Sequence, residues 1–159
     1  KLAQDTARIK DLLDLGVTVG IGTDGPASNN NLDMFESMKI AVLLQKQFYK
    51  DPTVMPAQTV LKMATIDGAK ALGLEKTIGT LGAGKKADII LVDFKKPHLT
   101  PIHDPYANIV YSAHGSDVDT VIVDGKVLME NRKVKTLDEE EVMLKAQKTA
   151  TDILTRKTS

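Results

Sequence analysis

The hydrophobic pattern of this chain changes period once, near residue 74, and that change confines it to a mixed α/β architecture with two differently built parts. Up to Gly73 the pattern alternates helix and strand. Ile9, Leu12 and Leu13 mark one face of a first helix, and Gly16 sits where a left-handed C-cap belongs. The run Val17-Thr18-Val19-Gly20-Ile21-Gly22-Thr23 predicts a buried strand. A long helix is expected from Leu32 to Tyr49, with Asn31 available as N-cap and Asp33 and Glu36 in its first turns, where the helix dipole favours negative charge. Its spacing turns Leu32, Phe35, Met38, Ala41, Val42 and Leu44 toward a core. Pro52 and Pro56 break the pattern, and Pro56 is expected as the first residue of the next helix, which carries Val60, Leu61 and Ala64 inward. Gly68 is expected to interrupt that helix, leaving a last turn from Ala69 to Leu72.

Beyond Gly73 the period is two. Ala87 to Phe94 predicts a nearly continuous apolar strand and Thr120 to Val123 a second; Asp124-Gly125 is a two-residue hairpin signal leading into Lys126 to Met129. The segment from Lys95 to Pro105 holds three prolines and reads as a connecting loop. Helix returns from Asp138 to about Lys157, with Thr136 or Asp138 as cap and Glu139 to Glu141 in its first turn. These readings divide the chain into 1–73, 74–135 and 136–159.

Composition excludes several function classes. Lys plus Arg equals Asp plus Glu, 21 against 21, so no excess positive charge points to nucleic acid or an acidic membrane surface. There is no cysteine, which removes disulfides, thiolate nucleophiles and cysteine-ligated zinc, and fits a reducing cytoplasm. No apolar run approaches the roughly 18 residues of a spanning helix. At 42% apolar and 26% charged, the chain can bury a real core. It begins at Lys1 and runs at once into helical periodicity, as expected of a piece of a longer protein.

Asp24 is the first candidate for chemistry. It ends the apolar run 17–23 and is followed by Gly25, Pro26 and the polar cluster Ser28 to Asn31, so a strand would deliver a carboxylate to a loop at its C-terminal end. In parallel α/β architectures that edge gathers ligands and catalytic groups. An isolated Thr-Asp-Gly more often turns the chain and caps the next helix. Other motifs are weaker. Gly79 to Lys85, GTLGAGK, has the glycine and lysine spacing of a phosphate loop, but Lys86 stands where a Ser or Thr would hold magnesium, and the motif precedes a strand. His98, His103 and Asp104 lie on a proline-rich loop with no regular spacing to converge them, and His114, beside Gly115 and Ser116, reads as a turn residue.

The stretch GTDGPASNNNLDMFESMKIAVLLQK, residues 22 to 46, resembles the strand-eight signature of the amidohydrolase superfamily, and SNNNLDM is most similar to the 5-methylthioadenosine/S-adenosylhomocysteine deaminases and their relatives the triazine hydrolases. MATIDGAKALGL (63–74), IGTLGAGKKADIILVDF (78–94) and SDVDTVIVDGKVLMENRKV (116–134) resemble the last barrel helix and the small β-sandwich of those enzymes. HLTPIHDP (98–105) and VYSAHGSDVDTVIV (110–123) resemble the deaminase branch. The resemblance implies the C-terminal part of a metal-dependent (β/α)8 barrel, followed by a small β-sandwich segment and a C-terminal helix. About 250 residues are typical of such a barrel alone, and Lys1-Leu2-Ala3 matches a short run after strand seven, so the N-terminal barrel half, with its histidine ligands and catalytic glutamate, is expected outside this chain.

The resemblance further implies hydrolytic deamination of an adenine ring in S-adenosylhomocysteine or 5-methylthioadenosine. Asp24 would bind a divalent metal, touch the substrate and carry the proton of the activated water. Zinc is the first candidate, with iron, manganese and nickel also accepting histidine and carboxylate. Gly22, Gly25 and Pro26 would shape the loop, and Ser28 and Asn29 would cap or order it. The expected partners are a small nucleoside substrate, the missing barrel half and further copies of the protein in a homo-oligomer, with no nucleic acid and no membrane. Two rivals stand beside this reading: another ring hydrolysis, by a guanine deaminase or triazine chlorohydrolase, and a catalytically inactive C-terminal piece with a structural role.

Overall fold

In the computed structural model, residues 5–156 are described. Helix α1 (Ile9–Asp14) ends as its sequence predicts: Gly16 takes φ +76° and its N–H bonds Leu13 O, closing the helix. Residues 17–25 are extended, but they pair with no strand among the described residues, which corrects the expected strand 17–23. A strand needs a neighbour for its backbone. Here Ile21 N–H reaches Met63 O and Val17 N–H reaches Leu12 O. The side chains still alternate, with Val19, Ile21 and Thr23 half-buried and Thr18, Gly20 and Gly22 exposed. Gly20 is required here: a Cβ would meet the Gly68 Cα at 2.9 Å, so the segment presses backbone against backbone.

A short helix α2 (Pro26–Asn29) follows, then α3 (Met34–Tyr49). Asp33, and not Asn31, is the N-cap of α3, because its Oδ1 accepts the Phe35 and Glu36 N–H groups. Asn31 instead bonds Glu36 and the Asp33 N–H. Phe35, Met38 and Val42 are buried as expected. Leu32 and Leu44, expected in the core, are exposed, and the fourth buried residue of the helix is Gln45, whose amide bonds Ala7 O and Ile9 N–H and ties α1 to α3. Pro56 is the N-cap of α4 (Ala57–Met63), one place earlier than expected. The break that follows falls at Ala64-Thr65, not at Gly68, which lies inside α5 (Ile66–Ala71). Gly68 ends no helix: its Cα lies under Gly20, and a Cβ on Gly68 would crowd the Met63 carbonyl at 3.2 Å.

The second part holds a four-stranded antiparallel sheet, β1 (Ile89–Val92), β2 (Val118–Val123), β3 (Lys126–Glu130) and β4 (Lys133–Val134), in that spatial order. β1 is shorter than the expected 87–94. Ile90 stands opposite Val121 and Ile122 opposite Val127, with register shifts at Leu91/Val92 and Val121/Ile122. The hairpin at Asp124-Gly125 is as predicted, with φ +50° and +77° at the two turn residues. Between β1 and β2 the chain is more ordered than its prolines suggest: a turn at Pro97–Leu99, then helix α6 (Pro105–Ala107) running on as a wide turn over Asn108–Ser112. Helix α7 (Glu139–Arg156) closes the described chain, capped by Asp138, whose Oδ1 accepts Glu141 N–H; its expected end at Lys157 lies outside the described residues.

One continuous core joins the helices to the sheet. Phe35, Met38, Val42, Met55, Val60 and Met63 pack with Leu99, Val110, Ala113 and Val118. The turn at Pro97–Leu99 and the wide turn Asn108–Ser112 fill the space between the layers, and Leu99 and Val110 are fully buried there. The Gly115 peptide is gripped from both sides. Its N–H bonds Asp33 Oδ2 at 2.8 Å, and its carbonyl accepts from the Arg132 guanidinium at 3.1 Å, which also reaches Val118 O at 2.8 Å.

Candidate active site

The extended segment 17–25 ends at Asp24, which takes φ +59°, a conformation that non-glycine residues seldom adopt. Gly25 then caps α2, and Pro26 opens it with the φ that a first helical turn needs. The reversal leaves the Asp24 carboxylate exposed at the segment's end. Its Oδ1 accepts the Gly25 N–H at 2.6 Å. The Ser28 hydroxyl first, and the Gly25 amide second, hold the Asp24 carboxyl below the usual carboxylate range against a small opposing effect of burial, so it is anionic at neutral pH. The loop is braced from behind: Asn29 Nδ2 donates to Thr23 O at 2.8 Å and Ser28 Oγ to Gly25 O at 3.0 Å. Ser28 and Asn29 thus order the loop, as their sequence positions suggest.

Among the described residues no three His, Asp or Glu side chains stand close enough together to hold a metal ion. The described residues by themselves do not form a complete metal site. The histidines lie elsewhere. His98 Nε2 is 2.9 Å from Asp117 Oδ2, and the His98 and His114 rings are 5.6 Å apart at their centroids. Asp117 is buried and also accepts the His114 N–H at 2.9 Å. Burial pushes the Asp117 carboxyl up, but the bonds from His98 and the His114 N–H outweigh it and hold it below the ordinary value. Asp104 accepts the Tyr106 N–H and caps α6, which is the role of a turn residue. In the glycine-rich loop 79–85 the Lys85 ammonium donates to Glu75 O, Ile78 O and Thr80 Oγ1, so the lysine knits its own loop together.

Two contacts of the site region escape a reading by sequence. Asp33 carries the pattern Asp-x-x-Glu with Glu36, a capping signature that would have placed the cap correctly. Nothing in the sequence announces Asp117 as the partner of His98, because the two stand 19 positions apart with a helix between them.

The chain belongs to the amidohydrolase family, whose profile matches residues 1–128. Among curated relatives it is 60% identical over 148 residues to a 5-methylthioadenosine/S-adenosylhomocysteine deaminase of Moorella thermoacetica, covering 93% of this chain and 35% of that protein. It is 56% identical over 156 residues to a 5'-deoxyadenosine deaminase of Methanosarcina mazei, covering 98% of this chain and 36% of that one. The crystal structure of an adenosine deaminase from Xanthomonas campestris with bound zinc superposes with a TM-score of 0.94 at 35% identity, over 98% of this chain and 35% of that one. The chain thus spans little more than a third of the length of the relatives it matches. No helix among the described residues is long and apolar enough to cross a membrane.

Proposed function

We propose that the protein carrying this chain is a metal-dependent aminohydrolase that removes the exocyclic amino group from the adenine ring of S-adenosylhomocysteine or 5-methylthioadenosine. The observation that carries the reading is Asp24: an exposed, anionic carboxylate fixed in a left-handed turn, within a chain matched over nearly its whole length by relatives named for adenosine-type deamination. Residues 17–25 are read as the eighth strand of a (β/α)8 barrel and the sheet β1–β4 as one layer of a small sandwich. The exposed apolar side chains Ile40, Leu43, Leu44 and Phe48 on α3 and Ile90, Leu91 and Val127 on the sheet support that reading, since they are the faces that further barrel and sandwich elements would cover.

A divalent cation, zinc in the first instance, held by Asp24 together with ligands from the rest of the protein, would supply the Lewis acidity that lowers the pKa of a water toward neutrality. Asp24 does the rest of what this chain contributes. Its low proton affinity leaves it ionised and ready to act as an oxygen ligand, and its carboxylate can take a proton from the attacking water and release it toward the departing nitrogen. Gly25 fixes Oδ1, and Asn29 and Ser28 hold the backbone on either side, so the carboxylate pays little reorganisation when it acts. In the balanced reaction water adds at the ring carbon, the carbon–nitrogen bond breaks and ammonia leaves.

The test is metal content and ammonia release from S-adenosylhomocysteine and 5-methylthioadenosine, on the purified protein and on Asp24→Asn. The variant should retain its fold and lose activity by about 100-fold or more, the range of a lost acid–base group, together with most of its metal. Turnover unchanged in Asp24→Asn would overturn the role given to this residue, and ammonia from neither substrate in a metal-loaded protein would overturn the substrate class.

A further inference from the structure

Asp24-Gly25 is one of three Asp-Gly pairs in the chain, with Asp67-Gly68 and Asp124-Gly125. Such a pair carries a chemistry of its own, because glycine has no Cβ to shield its amide nitrogen from the carboxyl before it. That nitrogen can bond the aspartate Cγ and close a five-membered imide. At Asp24 the two groups face each other. The Gly25 N–H points at Asp24 Oδ1 across 2.6 Å and makes no other hydrogen bond among the described residues. An aspartate oxygen meets the next amide in this way only when rotation about the Cα–C bond brings Cβ and that nitrogen to the same side, which is the rotation that ring closure demands. The φ of +59° at Asp24 and the bonds from Asn29 to Thr23 O and from Ser28 to Gly25 O hold it there. Reacting groups kept in contact in this way are in a near-attack arrangement. The other two pairs are turned away from it. Asp67-Gly68 lies inside α5, where the helix carries the Asp67 side chain back toward its N-terminus, and Asp67 Oδ1 meets Lys70 Nζ at 3.3 Å. In the hairpin the Gly125 N–H is taken by Ala87 O at 3.1 Å, and Asp124 Oδ1 lies 3.4 Å from Lys86 Nζ.

We propose that Asp24-Gly25 is a site of spontaneous backbone isomerisation, at which the Asp24 carboxylate is converted to isoaspartate as the protein ages. Gly25 N bonds Asp24 Cγ, and one water leaves, made of a carboxyl oxygen, the proton of the acid and the amide proton. Water then adds to one carbonyl of the imide and breaks its bond to the nitrogen. Opening at Cγ restores aspartate. Opening at the backbone carbonyl leaves the chain running through Cβ and Cγ, with the free carboxylate on Cα. Atoms balance without an oxidant or reductant. Asp24 is held largely ionised and ring closure uses the neutral acid, so the change is slow and accumulates over storage. The product lengthens the main chain and moves the carboxylate off the place that Asn29 and Ser28 brace. Its consequence for catalysis rests on the role proposed for Asp24; the modification itself does not.

The full protein carrying this chain, as purified and after chelation of divalent metal, is aged at neutral pH and its peptides are mapped by mass spectrometry with fragmentation that tells isoaspartate from aspartate. Isoaspartate at Asp24 should exceed that at Asp67 and Asp124 several-fold, and should form faster in the chelated sample, where no metal engages the carboxylate. Gly25→Ala, whose Cβ would meet nothing within 4 Å, should keep the fold and cut the isoaspartate at Asp24 several-fold, while Gly22→Ala should leave it unchanged. Ammonia release on the same aliquots tests the catalytic reading separately: activity that outlasts the aspartate would count against the role of Asp24 and not against isomerisation. Equal isoaspartate at the three pairs, less at Asp24 than at Asp124 in both samples, or a yield untouched by Gly25→Ala would each overturn the inference.

Discussion

Asp117 is a buried carboxylate whose Oδ2 is held by both the His98 ring and the His114 N–H, and its position on the pH axis follows from them. Its folded-state proton affinity is lowered, with desolvation opposing and the bonds from His98 and His114 N–H prevailing. A group depressed on folding stabilises above its unfolded value, near 3.9, and loses that contribution as pH falls through the lower folded value. The acid limb of the stability curve should therefore be shallower in Asp117→Asn than in the parent, as measured by denaturant unfolding at successive pH values. Asp117→Ala, which leaves the part-buried His114 N–H without its acceptor, should cost about 0.5–1.5 kcal/mol at neutral pH. The sequence made only part of this residue-scale picture legible. Asp24 was visible because an apolar run pointed at it and a glycine and proline followed. Asp117 was not, because the signal that makes it a hub is three-dimensional: His98 reaches it across the turn at Pro97–Leu99 and the whole of α6.

Local punctuation fixed the elements whose ends are written in backbone chemistry. Gly16 and Asp124-Gly125 adopt positive φ where turn rules require it, and Asp138 caps α7 as its oxygen and spacing allow. The readings that failed concern glycine and strand partners. Gly68 reads as a helix breaker and lies inside α5 against the Gly20 backbone; residues 17–23 have the alternation of a strand and find no ladder partner among the described residues, since pairing belongs to a neighbour and not to the segment. The helix α6 was hidden by prolines that here begin helical turns. If the close approach of Gly20 to Gly68 sets how the segment bearing Asp24 lies on α5, then Gly20→Ala should destabilise by about 1–3 kcal/mol, the usual cost of overpacking. Thermal unfolding reads this directly, with Gly22→Ala, whose added Cβ meets nothing within 4 Å, as the comparison.

Across the whole molecule, helices and sheet are not independent bodies, because Leu99, Val110, Ala113 and Val118 complete the core begun by Phe35, Met38 and Val42. The expected division at residue 74 describes how the sequence is patterned; the buried cluster ignores it. Exposed apolar side chains remain on α3 and on the sheet, the faces that further elements of the proposed barrel and sandwich would cover. The Gly115 peptide, held through its N–H by the cap of α3 and through its carbonyl by an arginine of the β3–β4 turn, belongs to both layers at once. Its amide proton exchanges when the bond to Asp33 opens, so its deuterium uptake should be slower than that of unbonded amides in the surrounding turns. Asp33→Ala should speed that uptake without altering that of the β2–β3 hairpin, which makes a single amide a gauge of how often the two layers breathe apart.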